Sequence, residues 1–184
     1  MAREKIIGDL LFLTENFSTP AADGAAYQGS SGWFSSATSL EKWDFRISVH
    51  ANSLFIPDDK RTFEVANSQL DTLVIKNAQR ATVPTAFGVT SNVMFEGSYQ
   101  DISFEFDAFP GIDRKTVPHA FMQVAVGLPG GTELTVRAMP EITIDDVKAS
   151  TFGAGLKHNF SQYFRYNSPE SFQLAAGIAY SRFN

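Results

Sequence analysis

The run from Trp43 to Ile56 alternates with a period of two over a length that few soluble strands reach. Trp43, Phe45, Ile47, Val49, Ala51 and Phe55 fall on one face, with Ser53 the exception. Asp44, Arg46, Ser48, His50 and Asn52 fall on the other. Successive side chains of an extended chain point to opposite faces, so the pattern commits this segment to a strand with one apolar and one polar surface. A soluble strand usually has about five or six residues, whereas about 9–11 tilted residues cross a bilayer. Pro57-Asp58-Asp59 closes the run with turn chemistry.

The same signal returns after Pro118. His119 to Gly127 and Thr132 to Met139 flank Leu128-Pro129-Gly130-Gly131, a good hairpin connection. In the second arm Leu134, Val136 and Ala138 oppose Glu133, Thr135 and Arg137. In Thr151 to His158, Phe152, Ala154 and Leu156 oppose Gly153, Gly155 and Lys157. In Ser171 to Phe183, Phe172, Leu174, Ala176, Ile178 and Tyr180 oppose a small and polar row. The middle of the chain is weaker. Arg61 to Val65 pairs with Asp71 to Lys76 in this reading, and Asn92 to Glu96 with Asp101 to Phe106, with Pro84, Pro110 and Pro118 as breaks.

Alternation of this kind fits two solvents. In a soluble sandwich the apolar face packs inward; in a membrane barrel it meets lipid, and the polar or small face lines the lumen. Aromatics near the ends of the apolar rows, the small opposing face of the last run, and the absence of charge from the best apolar rows favour the barrel.

The N-terminal segment has the opposite periodicity. Ile6, Leu10, Leu13 and Phe17 form a stripe from Arg3 to Phe17, widened by Ile7 and Leu11, which predicts an amphipathic helix limited by Pro20. Residues 18–42 turn to Ser, Gly, Ala and Thr and read as a long loop, of a length that is often functional. The helix either covers the open end of a sheet or plugs a barrel mouth, with residues 18–42 threading the lumen; Ile6, Leu10 and Leu13 are the candidate plug residues.

Composition narrows the function. A chain of 184 residues supports one domain with a real core. Seventeen Phe and 43% hydrophobic residues exclude global disorder. A net charge of -5 argues against nucleic-acid binding by phosphate neutralisation. With no Cys, disulfides, Cys zinc sites and thiol catalysis are excluded. No stretch of about 18 apolar residues predicts a transmembrane helix, and residues 1–20 do not read as a secretory signal.

Chemistry-bearing patterns are sparse. His50, His119 and His158 lack the spacing of a metal motif. Asp58-Asp59 and Asp145-Asp146 are acidic pairs that fit no EF-hand loop. Gly153-Ala154-Gly155 lacks the third glycine of a dinucleotide fingerprint and reads better as small residues on a strand face. No nucleophile elbow or phosphate loop occurs. No enzyme, cofactor or metal is therefore expected.

Several stretches, in order, carry a resemblance: Gly32-Trp33-Phe34-Ser35-Ser36-Ala37, Trp43-Asp44-Phe45-Arg46-Ile47-Ser48, Asn52-Ser53-Leu54-Phe55-Ile56-Pro57-Asp58-Asp59, Val83-Pro84-Thr85-Ala86-Phe87-Gly88, the run from Gln123 to Leu134, and Phe152-Gly153-Ala154-Gly155-Leu156-Lys157-His158-Asn159. Together they resemble an uncharacterised bacterial outer-membrane β-barrel family of Gram-negative bacteria, loosely like hydrophobic-compound channels with an N-terminal hatch. The resemblance implies longer relatives, with a signal peptide in front and further strands behind, so that this chain is a fragment. It implies no catalytic residue.

The expected fold is all-β: an antiparallel membrane-type β-barrel, incomplete and open if the chain is a fragment, with an N-terminal amphipathic helix. Residues 1–42 are the helix and Gly/Ser-rich loop, and residues 43–184 the barrel region. Asp44, Arg46, Ser48, His50 and Asn52 are expected to face the lumen. Trp43, Phe45, Ile47, Val49, Phe172, Leu174, Ile178 and Tyr180 are expected to face outer-membrane lipid. The expected function is passive passage or capture of a small hydrophobic solute. The alternative is a soluble β-sandwich or calyx that binds an apolar ligand or a protein partner.

Overall fold

The computed structural model describes residues 2–144, 147–164 and 172–183. The acidic pair Asp145-Asp146 and Ser171 lie outside the described residues. The described elements are mainly β-strands in antiparallel sheets, with one long helix, α1 (Ala2–Ser30). The strands are β1 (Phe45–Phe55), β2 (Thr62–Ala66), β3 (Val74–Ile75), β4 (Arg80–Pro84), β5 (Met94–Tyr99), β6 (Ile102–Asp107), β7 (Thr116–Leu128), β8 (Thr132–Ile144), β9 (Val147–Asn159) and β10 (Ala175–Phe183). They fall into two compact units: Met1–Gly24 with Leu54–Val117, and Ala25–Ser53 with Pro118–Asn184.

α1 runs past Pro20, where a stop was expected, and takes in thirteen residues that read as loop. A proline inside a helix removes one backbone donor and crowds the carbonyl four residues earlier. Polar side chains and the turn after β4 bond to carbonyls of this region. Thr19 Oγ1 donates to the Glu15 carbonyl at 2.7 Å, and the Asn16 amide donates to Phe12 O at 2.8 Å. The Phe17 carbonyl accepts from the Ala86 N–H at 2.9 Å. Alanines supply good helix propensity beyond Pro20.

The first unit has an ordinary apolar interior. Leu13, Val65, Leu73, Ile75, Val83, Phe95 and Ala108 are buried together. Leu10 and Phe12 of the helix pack against them with Phe63, Phe104 and Phe106. β5 and β6 form the expected hairpin, in register from Met94↔Asp107 to Tyr99↔Ile102. Its turn uses Gln100 and Asp101, both at positive φ, as a two-residue turn matched to strand twist demands.

The expected pairing of Arg61 to Val65 with Asp71 to Lys76 does not occur. β2 pairs with β4, and the short β3 pairs with β5. The cause is local. The buried Asp9 carboxylate of α1 accepts from the backbone N–H groups of Asp71, Thr72 and Leu73 at 2.8, 2.7 and 2.8 Å. Those donors are then lost to a ladder. Asn67 adds a second clasp, accepting from Ile75 N–H and donating to the Ala78 carbonyl.

The second unit is built on a five-stranded sheet of order β1-β7-β8-β9-β10. β7 to β10 follow one another as antiparallel neighbours. β1 also runs antiparallel to β7: Gly127 exchanges backbone bonds with Trp43 and Asp44 at one end, and Ile56 bonds Lys115 at the other. Among the described residues β1 and β10 are the two edges, so the sheet is open. Gly130 and Gly131, both at positive φ, form the expected β7–β8 turn.

β7, β8 and β9 each have 13 residues, longer than their sequence runs. Pro118, read as a break, lies inside β7, beyond the β7–β8 register that starts at Met122↔Ala138. Pro140 lies in β8 at the register shift between Met139 and Ile142, the kind of irregularity where a missing N–H is tolerated.

Replacing Asp9 with Ala strands three amide donors at once. Unsatisfied buried groups cost on the order of 1–3 kcal/mol each and are not additive, so D9A should destabilise the protein by about 3 kcal/mol. An exposed control, Glu15→Ala, should shift stability by less than about 0.5 kcal/mol. Denaturant titration of the two variants checks this.

Candidate functional site: the polar face of the five-stranded sheet

The alternation of the long strands is realised with its polarity reversed. In β7 the side chains of His119, Phe121, Gln123 and Ala125 are buried, while Met122 and Val124 are exposed. In β8 Glu133, Thr135 and Arg137 are buried, while Leu134 and Val136 are exposed. In β9 Thr151, Lys157 and Asn159 are buried, while Phe152 and Leu156 are exposed. Arg137 is 1% exposed and Lys157 3%, yet Val49 is 73% and Ile178 76% exposed. A soluble sheet buries its apolar row; this one buries its charged row.

What covers that row is the segment 31–42, which follows α1 directly. Its aromatic residues rest where the strands have no side chain. A Cβ on Gly153 would lie 2.8 Å from the Trp33 ring. One on Gly155 would lie 2.9 Å from Trp33 and 3.1 Å from Phe34. Gly177 of β10 meets Phe34 in the same way. The glycines and Lys157 on this face thus form a floor cut to fit two rings, which is the physical sense of the Gly153-Ala154-Gly155 pattern.

Charged side chains tie the segment down. Glu133 and Lys157 are direct cross-strand partners and form an ion pair at 3.2 Å, both nearly fully buried. The Lys157 ammonium also donates to the Ser36 and Thr38 carbonyls at 3.0 and 2.9 Å. Glu133 accepts from the Leu40 N–H at 3.2 Å. Asn159 donates to the Ala37 carbonyl, and Ser39 to the Gly131 carbonyl. At the other end of the segment Arg137 donates to the Ser31 carbonyl at 2.9 Å. Its guanidinium lies over the Trp33 ring at 3.4 Å and over Phe121 at 4.5 Å. Gln123, opposite Arg137 in the register, donates to the Trp33 carbonyl. Arg137 Nε and Nη2, Gln123 Oε1, Thr135 Oγ1 and His119 Nδ1 are buried without a hydrogen-bond partner.

The residues proposed from sequence are distributed as follows. Trp43, Phe45, Ile47, Val49, Phe172, Leu174, Ile178 and Tyr180 are all exposed. Trp43 itself precedes β1, at a φ of 70° in a turn. Ser48, His50 and Asn52 are half-buried, while Asp44 and Arg46 are exposed. His50 stacks on Phe121 with ring centres 5.1 Å apart and bonds Ser48 Oγ. Asn52 donates to Ser31 Oγ at 3.1 Å. Of the helix residues, Leu13 is in the core of the first unit and Leu10 packs on it. Ile6 lines an open groove of about 710 Å³ with Arg3, Ile7, Tyr99, Ile102 and Phe104.

The histidines bond hydroxyl groups: His119 to Thr151, and His158 to Thr132 and Tyr163. Among the described residues no three potential metal ligands converge. Asp58 sits between Lys115 at 3.3 Å and Arg61 at 3.6 Å. The hydrogen bond and charge of Lys115, then those of Arg61, hold its carboxyl below the usual range.

Sequence reasoning placed Glu133, Arg137 and Lys157 on polar rows but did not single them out. The available signal was their alternation with Leu134, Val136 and Leu156 in long runs. That alternation puts unlike charges on one face, and the hairpin register then makes Glu133 and Lys157 neighbours.

A family model described as Family of unknown function (DUF6588) matches residues 2–184, and the chain belongs to that family. No curated protein and no solved structure matches it.

Removing one member of a buried ion pair leaves an uncompensated charge and costs about 3–5 kcal/mol, whereas replacing both with apolar residues is often neutral. Glu133→Gln and Lys157→Met should each destabilise by about that amount. The double variant E133L/K157M should recover most of the loss while freeing segment 31–42, seen as a red-shifted Trp33 emission in a Trp43→Phe background.

Proposed function

We propose that the five-stranded sheet is part of the wall of an outer-membrane β-barrel, and that the protein provides passive passage or a binding site for a small solute. The single observation that carries this reading is the reversed polarity of β8 and β9: charged and glycine rows inside, aliphatic and aromatic rows outside. In water such an arrangement loses on both faces. Each apolar side chain left in solvent forgoes about 1.5–3 kcal/mol, and each buried charge carries a desolvation cost. Against lipid the outer row is in its preferred solvent, and the inner row faces a polar lumen. The 13-residue strands are long enough to span the hydrocarbon layer when tilted.

In this arrangement Trp43, Phe45, Ile47, Val49, Leu174, Ile178 and Tyr180 meet lipid. His50, Asn52, Glu133, Arg137 and Lys157 belong to the lumen side. Segment 31–42, part of the stretch 18–42 expected from sequence to thread the lumen, lies there as the plug, without the helix residues Ile6, Leu10 and Leu13. The short Leu128–Gly131 turn is on the periplasmic side, where turns are short. A soluble calyx would need the Leu134, Val136 and Leu156 row turned inward, and these residues are exposed.

The experiment is membrane partition. Expressed behind a signal peptide in a Gram-negative host, the chain should stay in the outer membrane after carbonate extraction. A soluble, folded, monomeric product would overturn the reading. A sharper check is Val136→Arg, on the exposed row of the central strand β8. It should cost about 2–4 kcal/mol of folding stability in lipid, against less than about 0.5 kcal/mol for an ordinary water-facing strand position. Reversible unfolding in urea from lipid vesicles measures the difference.

A further inference from the structure

Arg137 is buried with most of its hydrogen-bonding capacity unused. It is 1% exposed, yet no carboxylate lies within ion-pair distance of it among the described residues. Only its Nη1 is used, on the neutral carbonyl of Ser31, while Nε and Nη2 are buried without a partner. The Nε and Nη2 edge of a guanidinium is a fork matched to the two oxygens of a carboxylate, and such charge-assisted bonds are roughly twice as strong as those to neutral oxygens. The nearby Glu133 does not serve, because its charge is taken by Lys157 at 3.2 Å. The buried face therefore carries one uncompensated positive charge.

Beside that charge lies a slot for a flat ring. The Trp33 indole stacks on the Arg137 guanidinium at 3.4 Å and sits on Gly153 and Gly155, where a Cβ would collide with it. Phe121 closes the other side of the guanidinium at 4.5 Å. Trp33 reaches this place on a Ser- and Gly-rich segment held mainly by single hydrogen bonds through its backbone carbonyls. The Trp33 ring thus fills the slot beside Arg137, while the Nε and Nη2 edge of the guanidinium stays open for a carboxylate.

We infer that Trp33 is an internal stand-in for the ring of an aromatic carboxylate, which pairs its two oxygens with the Nε and Nη2 edge of Arg137 and lays its ring over Gly153 and Gly155, displacing Trp33. The inference rests on the solute-capture part of the proposed function and names the solute class. Segment 31–42 is then a competitor as well as a plug. Apparent affinity equals the intrinsic affinity reduced by the fraction of molecules in which the segment has moved away.

The test uses the full chain folded in detergent micelles, with benzoate as the probe and benzyl alcohol as its uncharged counterpart. In a Trp43→Phe background, benzoate should change Trp33 emission saturably, and benzyl alcohol at equal concentration should not. Arg137→Gln, checked for folding by circular dichroism, should weaken benzoate binding by about tenfold or more, the loss of a charged hydrogen-bonded partner. Trp33→Ala, followed by calorimetry, should bind benzoate about tenfold more tightly, since the competing ring is gone. Failure of Trp33→Ala to bind benzoate would overturn the inference, as would equal binding of benzyl alcohol. Outer-membrane retention without benzoate binding would remove this inference and leave the barrel reading standing. Benzoate binding by a chain that stays out of membranes would do the reverse.

Discussion

The ion pair between Glu133 and Lys157 decides how the second unit is put together. Two opposite charges placed directly across β8 and β9 satisfy each other, but not fully: an ammonium has three donors and a carboxylate about four acceptor positions. The remaining capacity goes to the backbone of residues 36–40. A buried pair is tolerable only with such additional bonds. The segment in turn has little apolar surface of its own beyond Trp33 and Phe34, and it is ordered because these charges and the glycine floor hold it. Segment path and ring placement thus follow from one cross-strand pair and the small residues beside it.

The two units solve opposite problems with the same alphabet. In the first, Val65, Leu73, Val83 and Phe95 are removed from water and the helix contributes Leu13 to them. Polar groups there act as local fasteners, as Asp9 and Asn67 do on backbone amides. In the second, the fasteners are the interior, and the apolar side chains are the exterior. A pattern of period two specifies which residues share a face, and it is blind to which face is inside. Contacts beyond the pattern supply that choice, and β8 and β9 turn their aliphatic and aromatic residues outward.

This is why the long strands were legible from the sequence and other parts were not. Runs such as Trp43–Phe55 or Thr132–Ala138 carry their periodicity in contiguous residues, so strand and face could be read directly. The β7–β8 hairpin was equally plain from Pro129, Gly130 and Gly131. The β2–β4 pairing was not, because it depends on Asp9, more than 50 residues upstream, withdrawing three amides from the nearer candidate strand. The length of α1 escaped for a related reason. Pro20 is a local stop signal, and the helix beyond it is accompanied by side-chain and long-range backbone bonds at Glu15, Asn16 and Phe17 that composition does not reveal. At the candidate site the polar rows were visible, but the contacts that hold segment 31–42 were not, since a Ser- and Gly-rich stretch acquires structure only from what it lies on.

Arg137 shows where the energetic logic of the interior stops being purely structural. Lys157 has a carboxylate and two carbonyls; Arg137 has one carbonyl and two rings. Cation–π contact contributes on the order of 0.5–2 kcal/mol per ring, less than the several kcal/mol that burying a guanidinium costs. A Met or Leu at the same position would fill the space between Trp33 and Phe121 without that deficit. The unpaired charge is therefore a local weakness in the seal between segment and sheet, and it lies at the end of the segment that α1 delivers. Lys157 and Glu133 hold residues 36–40 firmly, while residues 31–33 rest on the least satisfied group of the sheet. Any displacement of the segment by a better partner for the guanidinium would start there and leave the Glu133–Lys157 clasp in place.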